Sequence, residues 1–167
     1  GFIRVFGGSL KGMPREEAIK ISVDTLEQMA ELAGPDIAIA VETHDDWVAT
    51  EPLAKVLEQV QAPNVCALWD LHHPYRLAGE EPKRSYENLG KFTRYTHVKD
   101  SKLQSDGRYR PALAGQGDIP LAELIGLLLN GGFDGYFTLE WEKRWMPDIA
   151  EAEIAFPAYA KFLRALQ

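Results

Sequence analysis

Four short apolar segments of β-strand composition each end in a polar residue that can bind a metal ion. These residues are Glu42 after residues 37–41, Asp70 after 65–69, His97 after 94–96 and Glu140 after 136–139. Such runs are short enough to be buried parallel strands, and α/β proteins bind ligands at the carboxyl ends of these strands. The pattern therefore predicts a parallel sheet with two glutamates, one aspartate and one histidine at one rim. That set of side chains is typical of a divalent-metal site.

The cost of burying charge favours a bound cation at this rim. A carboxylate at the mouth of an apolar sheet is unfavourable unless a cation or a hydrogen-bond donor compensates it, and three neighbouring carboxylates also repel one another. A divalent cation would remove both penalties. For any one of these residues alone, a side chain satisfied by solvent or by a loop amide is the simpler interpretation, but four in succession favour the metal site.

Strand-like and helix-like segments alternate along the chain. Between the apolar runs lie segments with apolar residues at helical spacing, several of them bounded by proline or glycine. The predicted strands are 2–6, 37–42, 65–70, 95–98 and 136–140, and the predicted helices are 14–33, one starting near 50, 85–91, one starting at 118 or 119, and 147–166 with an interruption or kink at Pro157. This order predicts an α/β fold with a parallel sheet and right-handed crossovers.

The number of βα units indicates only part of a barrel. A closed eight-stranded (β/α) TIM barrel takes about 250 residues, whereas this sequence has 167 and begins at Gly1, directly before a strand. We therefore expect a single partial (β/α)-barrel domain over 1–167 that consists of the C-terminal five βα units of an eight-unit barrel. An open sheet is the alternative, and it would expose strand edges that need a cover or a partner chain, for example in a homo-oligomer.

Composition argues against several classes of protein. The formal net charge of −7 argues against a nucleic-acid partner. No stretch is long and apolar enough for a membrane span or resembles a secretion signal, so we expect a cytoplasmic protein. The single Cys66 lies in an apolar run and is interpreted as a buried thiol outside any disulfide. Lys99, Lys102, Arg108 and Arg110 are candidates for binding an anionic substrate group, although a solvated loop is the simpler interpretation for Lys102 and Arg108.

The metal-binding candidates lie within longer motifs. The motifs are Val41-Glu-Thr-His44, Trp69-Asp-Leu-His-His-Pro74, Thr96-His-Val-Lys-Asp100, Gly115-Gln-Gly-Asp-Ile-Pro120 and Gly135-Tyr-Phe-Thr-Leu-Glu140. With these motifs the chain resembles, over nearly its whole length, the xylose-isomerase-like TIM-barrel superfamily of sugar phosphate isomerases and epimerases. The resemblance implies four metal ligands and two substrate contacts. The implied ligands are Glu42, Asp70, His97 and Glu140, and the implied substrate contacts are His73 and Lys99.

The chemistry of these side chains predicts proton transfer on a sugar. A divalent metal such as Mn²⁺, Mg²⁺, Co²⁺ or Zn²⁺, held by carboxylates and an imidazole, polarises a carbonyl or hydroxyl group and stabilises an enediolate. Glu42 and Glu140 can each bind the metal through one oxygen and exchange a proton with the other, on opposite faces of a sugar carbon. We therefore expect a metal-dependent isomerase or epimerase that acts on a small sugar, sugar phosphate or polyol.

Three alternative functions stay open at this point. An inosose-type dehydratase of the same superfamily would use the same groups. An endonuclease IV-like phosphodiesterase is disfavoured, because such chemistry favours several metals, more histidines and a basic surface, and this acidic chain has four histidines. A non-catalytic partial barrel would keep the ligands but lack the walls that exclude water and orient a substrate.

Some neighbours of the motifs are weaker candidates. His72 alternates with motif residues along an extended backbone, so we expect it to have a structural role. Trp141 and Trp145 could stack on a sugar ring or pack against the final helix. Gly115 and Gly117 could offer backbone amides to a phosphate, although a turn before the next helix is the simpler interpretation.

Overall fold

A five-stranded parallel sheet lies at the centre of the computed structural model, which describes residues 1–166. Its strands are β1 (Phe2–Phe6), β2 (Ala38–Glu42), β3 (Val65–Asp70), β4 (Thr93–Val98) and β7 (Tyr136–Leu139), side by side in that order. Two further short strands, β5 (Asp100–Leu103) and β6 (Tyr109–Ala112), form a separate antiparallel hairpin. All neighbouring pairs in the large sheet are parallel. The prediction of an α/β fold with a parallel sheet is therefore confirmed.

Helices pack against the sheet and complete its main core. They are α1 (Arg15–Ala33), α2 (Thr50–Leu57), α3 (His73–Ala78), α4 (Pro82–Leu89), α5 (Leu121–Asn130) and α6 (Ala152–Arg164), with short 3-10 turns at Asp45–Trp47 and Gly90–Phe92. Neighbouring helices α1 and α2, α2 and α4, and α4 and α5 contact one another. Buried residues such as Leu26, Leu53 and Leu124 bring the helices into one apolar cluster with the sheet.

Side chains along each strand alternate between this main core and the opposite face of the sheet. Ile39, Val41, Ala67 and Trp69 lie in the core with the helices. The alternate positions of β2 and β3 form a second, smaller cluster of Ala38, Ala40, Cys66 and Leu68. Continuing this alternation, Glu42 and Asp70 leave the strands on the side of the smaller cluster. Cys66 is buried as expected, and burial raises the pKa of its thiol to about 11.

Apart from shifts of up to three residues at the ends of other elements, the structure differs from the prediction in three places. Helix α3 is absent from the prediction, since its six residues are too few to show a helical period. The long loop predicted after β4 contains the β5–β6 hairpin, which satisfies its own backbone groups by pairing. Helix α6 begins at Ala152 rather than at 147 and continues through Pro157. Its start is delayed because Lys143 Nζ donates to the carbonyls of Pro147 and Ile149, at 2.6 and 2.7 Å, and holds that segment in a loop.

The two edge strands expose apolar side chains. Phe2, Ile3 and Phe6 of β1 are exposed, and so is Tyr136 of β7. Burial of these edges by a second copy of the chain stays a prediction. Within residues 1–166, no helix combines the length and the apolar character that crossing a lipid bilayer requires.

The buried carboxylate of Asp100 organises the segment between β4 and α5. Its Oδ1 accepts the amides of Ser101 and Ile119, at 2.8 and 3.2 Å. Its Oδ2 accepts the amides of Gly115 and Gly117, both at 2.9 Å. Burial raises the pKa of this carboxyl, although the four amides oppose the shift. The phosphate role considered for the two glycine amides is therefore wrong, and the simpler interpretation, a structural turn, holds.

Replacing Asp100 with asparagine is expected to lower the free energy of unfolding by about 2 kcal/mol or more. The side-chain NH₂ would have to face backbone donors that now bind a carboxylate oxygen. Urea denaturation measures the change. Asp134→Asn, at an exposed position before β7, is the matched control and should stay within about 0.5 kcal/mol of the wild type. Equal stability of the two variants would contradict the role given to Asp100.

Candidate metal centre

The four strand-end residues lie together at the carboxyl end of the sheet. One potential ligand atom from each of Glu42, Asp70, His97 and Glu140 lies within 4.8 Å of those of the other three. Register accounts for this arrangement, because Asp70 and His97 are direct partners in the β3–β4 pair. The amide of Glu140 donates to the carbonyl of Val98 at 3.0 Å, which continues the β4–β7 pairing by one residue. The structure thus brings together the side chains that the sequence singled out.

His97 lies between the two glutamates. Its Nδ1 is 3.0 Å from Glu42 Oε1 and 3.6 Å from Glu140 Oε1. Because an ionised carboxylate can only accept a hydrogen bond, Nδ1 carries the hydrogen in the contact with Glu42.

Lys99 bridges the two remaining carboxylates. Its Nζ is 3.0 Å from Asp70 Oδ2 and 2.7 Å from Glu140 Oε2. Burial alone would lower the pKa of Lys99, but the two carboxylates outweigh burial and raise it. Burial alone would likewise raise the pKa of Glu140, but Lys99, with His97 and Arg4, lowers it to about 2. Both groups are therefore charged at neutral pH, and Lys99 contacts the carboxylates themselves.

Arg4 belongs to this site, and the sequence reasoning missed it. Its Nε is 2.5 Å from Glu42 Oε2, and its Nη1 is 3.5 Å from Glu140 Oε1. Arg4 is the register partner of Ala40, which lies on the same side of the sheet as Glu42. A charged residue in the middle of an otherwise apolar strand is the signal that would have identified it.

Asp70 also shapes the turn that follows β3. Its Oδ1 accepts the amides of His72 and His73, at 2.8 and 3.1 Å. Nδ1 of His73 is 2.8 Å from the carbonyl oxygen of Thr43. A carbonyl only accepts, so Nδ1 of His73 donates in this contact and Nε2 is the ring nitrogen left for a ligand.

A buried polar network lies beside the centre. His72 Nε2 is 2.8 Å from Ser101 Oγ, and Ser101 Oγ accepts a hydrogen bond from Arg76 Nε at 3.1 Å. Burial, assisted by the nearby Lys99, lowers the pKa of His72 to about 3, so its ring is neutral at neutral pH. The network ties β5 to α3, in keeping with the structural role expected of His72.

Two buried carboxylate oxygens show that a divalent cation fits here. Glu42 Oε2 and Asp70 Oδ2 accept no hydrogen bond within residues 1–166. Each lies at ion-pair distance from Arg4 or Lys99, but two cations do not balance the charge of three carboxylates. A buried carboxylate oxygen without a hydrogen bond is costly. Carboxylate oxygens and an imidazole nitrogen are ligands of Zn²⁺ and, with the oxygens in the majority, of Mn²⁺ and Mg²⁺.

A small pocket of about 60 Å³ opens beside the centre. Its walls include His73, Lys99 and Glu140 together with Trp141 from the segment after β7. The indole N–H of Trp141 donates to the carbonyl of Ala150 at 2.8 Å, which holds the ring in place. Of the two tryptophans considered for stacking on a sugar, Trp141 lines this pocket, whereas Trp145 is 70% exposed.

The lowered pKa of Glu140 predicts a loss of stability in acid. Since its pKa falls from 4.5 to about 2 on folding, its charged form stabilises the fold above pH 4.5, and this contribution disappears as the pH falls toward 2. Urea midpoints measured down this range should therefore drop with pH. Lys99→Met removes the main partner of Glu140, so the drop should be shallower in this variant. An unchanged pH dependence would mean that Lys99 does not set the pKa of Glu140.

The chain matches the model of a protein family and is similar to curated proteins and to solved structures. A family model described as xylose isomerase-like TIM barrel matches residues 1–166. Among curated proteins, fructoselysine 3-epimerase of Escherichia coli O157:H7 is 36% identical over 91 residues, which are 54% of this chain and 31% of that protein. The similarity in sequence thus covers about a third of that epimerase.

Solved structures show the same fold. An IOLI protein with a bound zinc atom has a TM-score of 0.78 at 20% identity, covering 99% of this chain and 62% of that one. The probable 3-DHS dehydratase AsbF of Bacillus anthracis has a TM-score of 0.77 at 20% identity, covering 98% and 63%. The chain therefore spans less than two thirds of these proteins, in agreement with the prediction of a partial TIM barrel.

Proposed function

The chain belongs to the xylose isomerase-like TIM-barrel family, and on that premise we propose that it is a divalent-metal-dependent epimerase or isomerase of a ketose or a ketose derivative. One observation carries the proposal: Glu42, Asp70, His97 and Glu140 converge, and two of their buried oxygens accept no hydrogen bond. The similarity to a fructoselysine 3-epimerase supports epimerisation of a sugar derivative. Since the match covers about a third of that protein, the activity is proposed for this chain and not taken over from the relative.

Glu42, Asp70, His97 and Glu140 would hold the metal. When bound, Mn²⁺, Mg²⁺, Co²⁺ or Zn²⁺ polarises a substrate oxygen and stabilises the negative charge that develops on it. A zinc-bound relative of the same fold supports this assignment. Arg4 and Lys99 neutralise part of the carboxylate charge and keep the pKa of Glu140 low.

The two glutamates would exchange the proton. Glu140 is ionised at neutral pH and accepts the proton from the carbon next to the substrate carbonyl, and the electron pair of the broken C–H bond moves toward the carbonyl oxygen. In epimerisation, Glu42 would first take up a proton from solvent and then deliver it to the opposite face of the same carbon. Delivery to the neighbouring carbon would give isomerisation instead. Exchange with solvent then restores both groups.

Two further residues would orient the substrate. His73 would contact a substrate hydroxyl through Nε2, because Nδ1 donates to the carbonyl of Thr43. Lys99 Nζ lies in the wall of the pocket, between two carboxylates, and can donate to a substrate oxygen. Both roles follow from the position of these side chains between the centre and the pocket.

Solvent-deuterium exchange tests the proposal. A panel of ketoses is incubated in D₂O with the protein and Mn²⁺, and NMR follows the carbon-bound hydrogens. We expect metal-dependent loss of the signal of the hydrogen next to the carbonyl group, with a new epimer or aldose in the product spectrum. A dehydrated product would instead assign the dehydratase alternative, and cleavage of abasic duplex DNA would assign the phosphodiesterase. Absence of any divalent-metal binding would overturn the proposal.

A further inference from the structure

We infer that a groove next to the metal centre binds a zwitterionic, amino-acid-like group carried by the sugar substrate. This groove, the outer groove, runs between residues 108–111 of the β5–β6 hairpin and residues 145–150 after β7. The inference rests on the proposed function, because it assigns a second binding site for the same substrate.

The outer groove is much larger than the pocket at the centre. Its volume is about 510 Å³, against about 60 Å³ for the pocket. Tyr109, Pro111 and Met146 line both spaces, so the two adjoin. A space of 60 Å³ has room for about four water molecules, whereas several hundred cubic ångströms are typical of a small-ligand site. The reacting end of a substrate therefore fits at the centre, and a larger substituent would extend into the outer groove.

Both walls of the outer groove are held in place by hydrogen bonds. In the segment after β7, Lys143 Nζ donates to the carbonyls of Pro147 and Ile149, which flank Asp148 on both sides. On the hairpin side, the amide of Leu103 donates to Asp118 Oδ2 at 2.6 Å, and Asp100 anchors the start of β5. A groove with ordered walls loses little entropy when it binds a ligand.

The hairpin wall presents a cation without a partner. Arg108 is already paired with Asp106, at 2.9 Å. Arg110 makes no side-chain hydrogen bond or ion pair with any residue in 1–166. Its direct cross-strand partner is Lys102, a like charge, and such pairs destabilise a β-ribbon. A ligand carboxylate at Arg110 would relieve this repulsion.

The opposite wall presents an anion without a partner. Asp148 is exposed, and its carboxylate makes no hydrogen bond or ion pair within the described chain. Although Arg110 and Asp148 line the same groove, they do not pair with each other. A phosphate would be attracted by Arg110 but not by Asp148, whereas an amino-acid head group carries a partner for each side chain: its carboxylate for Arg110 and its ammonium for Asp148.

A set of three matched ligands tests the inference by calorimetric titration. Each consists of 1-deoxyfructose joined at C1 to the terminal amine of a different tail. The tails are lysine, whose far end carries a carboxylate and an ammonium group, 6-aminohexanoate, whose far end carries only a carboxylate, and pentylamine, whose far end is uncharged. For the wild-type chain, we expect the lysine conjugate to bind about tenfold or more tightly than the pentylamine conjugate, with the aminohexanoate conjugate between them. Titrations with and without Mn²⁺ show whether the preference among the conjugates depends on the bound metal.

Single-charge variants assign the two ends of the ligand. Arg110→Gln should remove the advantage of both carboxylate-bearing conjugates, and Asp148→Asn should remove only the advantage of the lysine conjugate over the aminohexanoate conjugate. Lys83→Gln on α4 and Asp24→Asn on α1 make the same charge changes at exposed positions outside the groove. These two controls should leave all three affinities within about twofold of the wild type.

The outcomes separate this inference from the proposed function. Three results would overturn the zwitterion site: equal binding of the three conjugates, no binding of any of them, or an advantage of the lysine conjugate over the aminohexanoate conjugate that Asp148→Asn leaves intact. None of these results depends on turnover. Conversely, the expected preferences without metal binding or deuterium exchange would leave the groove assigned and overturn the proposed chemistry.

Discussion

Replacing Asp70 with asparagine is expected to raise the dissociation constant for Mn²⁺ or Zn²⁺ about 100-fold or more. The variant keeps Oδ1, which accepts the amides of His72 and His73, so the turn after β3 is retained. It replaces Oδ2, a buried oxygen that accepts no hydrogen bond, with an NH₂ group that cannot bind a cation. Calorimetric titration of the metal into the purified protein measures the loss.

The comparison for this variant is Asp36→Asn, which removes one carboxylate at an exposed position between α1 and β2. Its metal affinity should equal that of the wild type. Circular dichroism of both variants shows whether the fold is intact. If Asp70→Asn bound the metal as tightly as Asp36→Asn, the cation would lie elsewhere and the proposed centre would be wrong.

Replacing Glu42 with glutamine is expected to slow formation of the epimer or aldose by about 10²- to 10⁴-fold, the range typical of a lost acid–base group. The amide oxygen can still accept the hydrogen bond from His97 Nδ1, which is 3.0 Å from Oε1 in the wild type. It cannot carry the exchanging proton. The measurement is made at a Mn²⁺ concentration that saturates the variant, so that weaker metal binding does not account for the loss.

Glu58→Gln provides the control for this second variant. Glu58 is an exposed glutamate that pairs with Lys91 at 3.3 Å, at the end of α2. Its substitution should leave the rate of product formation unchanged. Product formation at the wild-type rate in the metal-saturated Glu42→Gln variant would show that another group delivers the proton.

Much of the candidate site could be predicted because its residues follow short apolar strands. In parallel strands, the residue after each strand lies at the same edge of the sheet, so Glu42, Asp70, His97 and Glu140 converge without any knowledge of the packing. Arg4 could not be placed in the same way, since it lies in the middle of β1 and reaches the centre only through the register of β1 with β2.

The role of Gly115 and Gly117, in the loop before α5, also depends on a contact that the sequence does not show. A glycine pair in a loop is compatible with binding a phosphate or with a structural turn. The choice depends on Asp100, at the beginning of β5, whose carboxylate accepts both amides. Sequence alone does not show that this carboxylate folds back onto the loop.

By itself, the sequence determined the alternation of strands and helices and the chemical groups at the strand ends. Hydrophobic period and strand length are local properties, so they can be read without the fold. Only the tertiary structure decided which charges meet: Arg4 with Glu42, Lys99 between Asp70 and Glu140, and the separate charges of the outer groove. These contacts depend on strand register and on how far each side chain reaches between distant segments, and no local pattern carries that information.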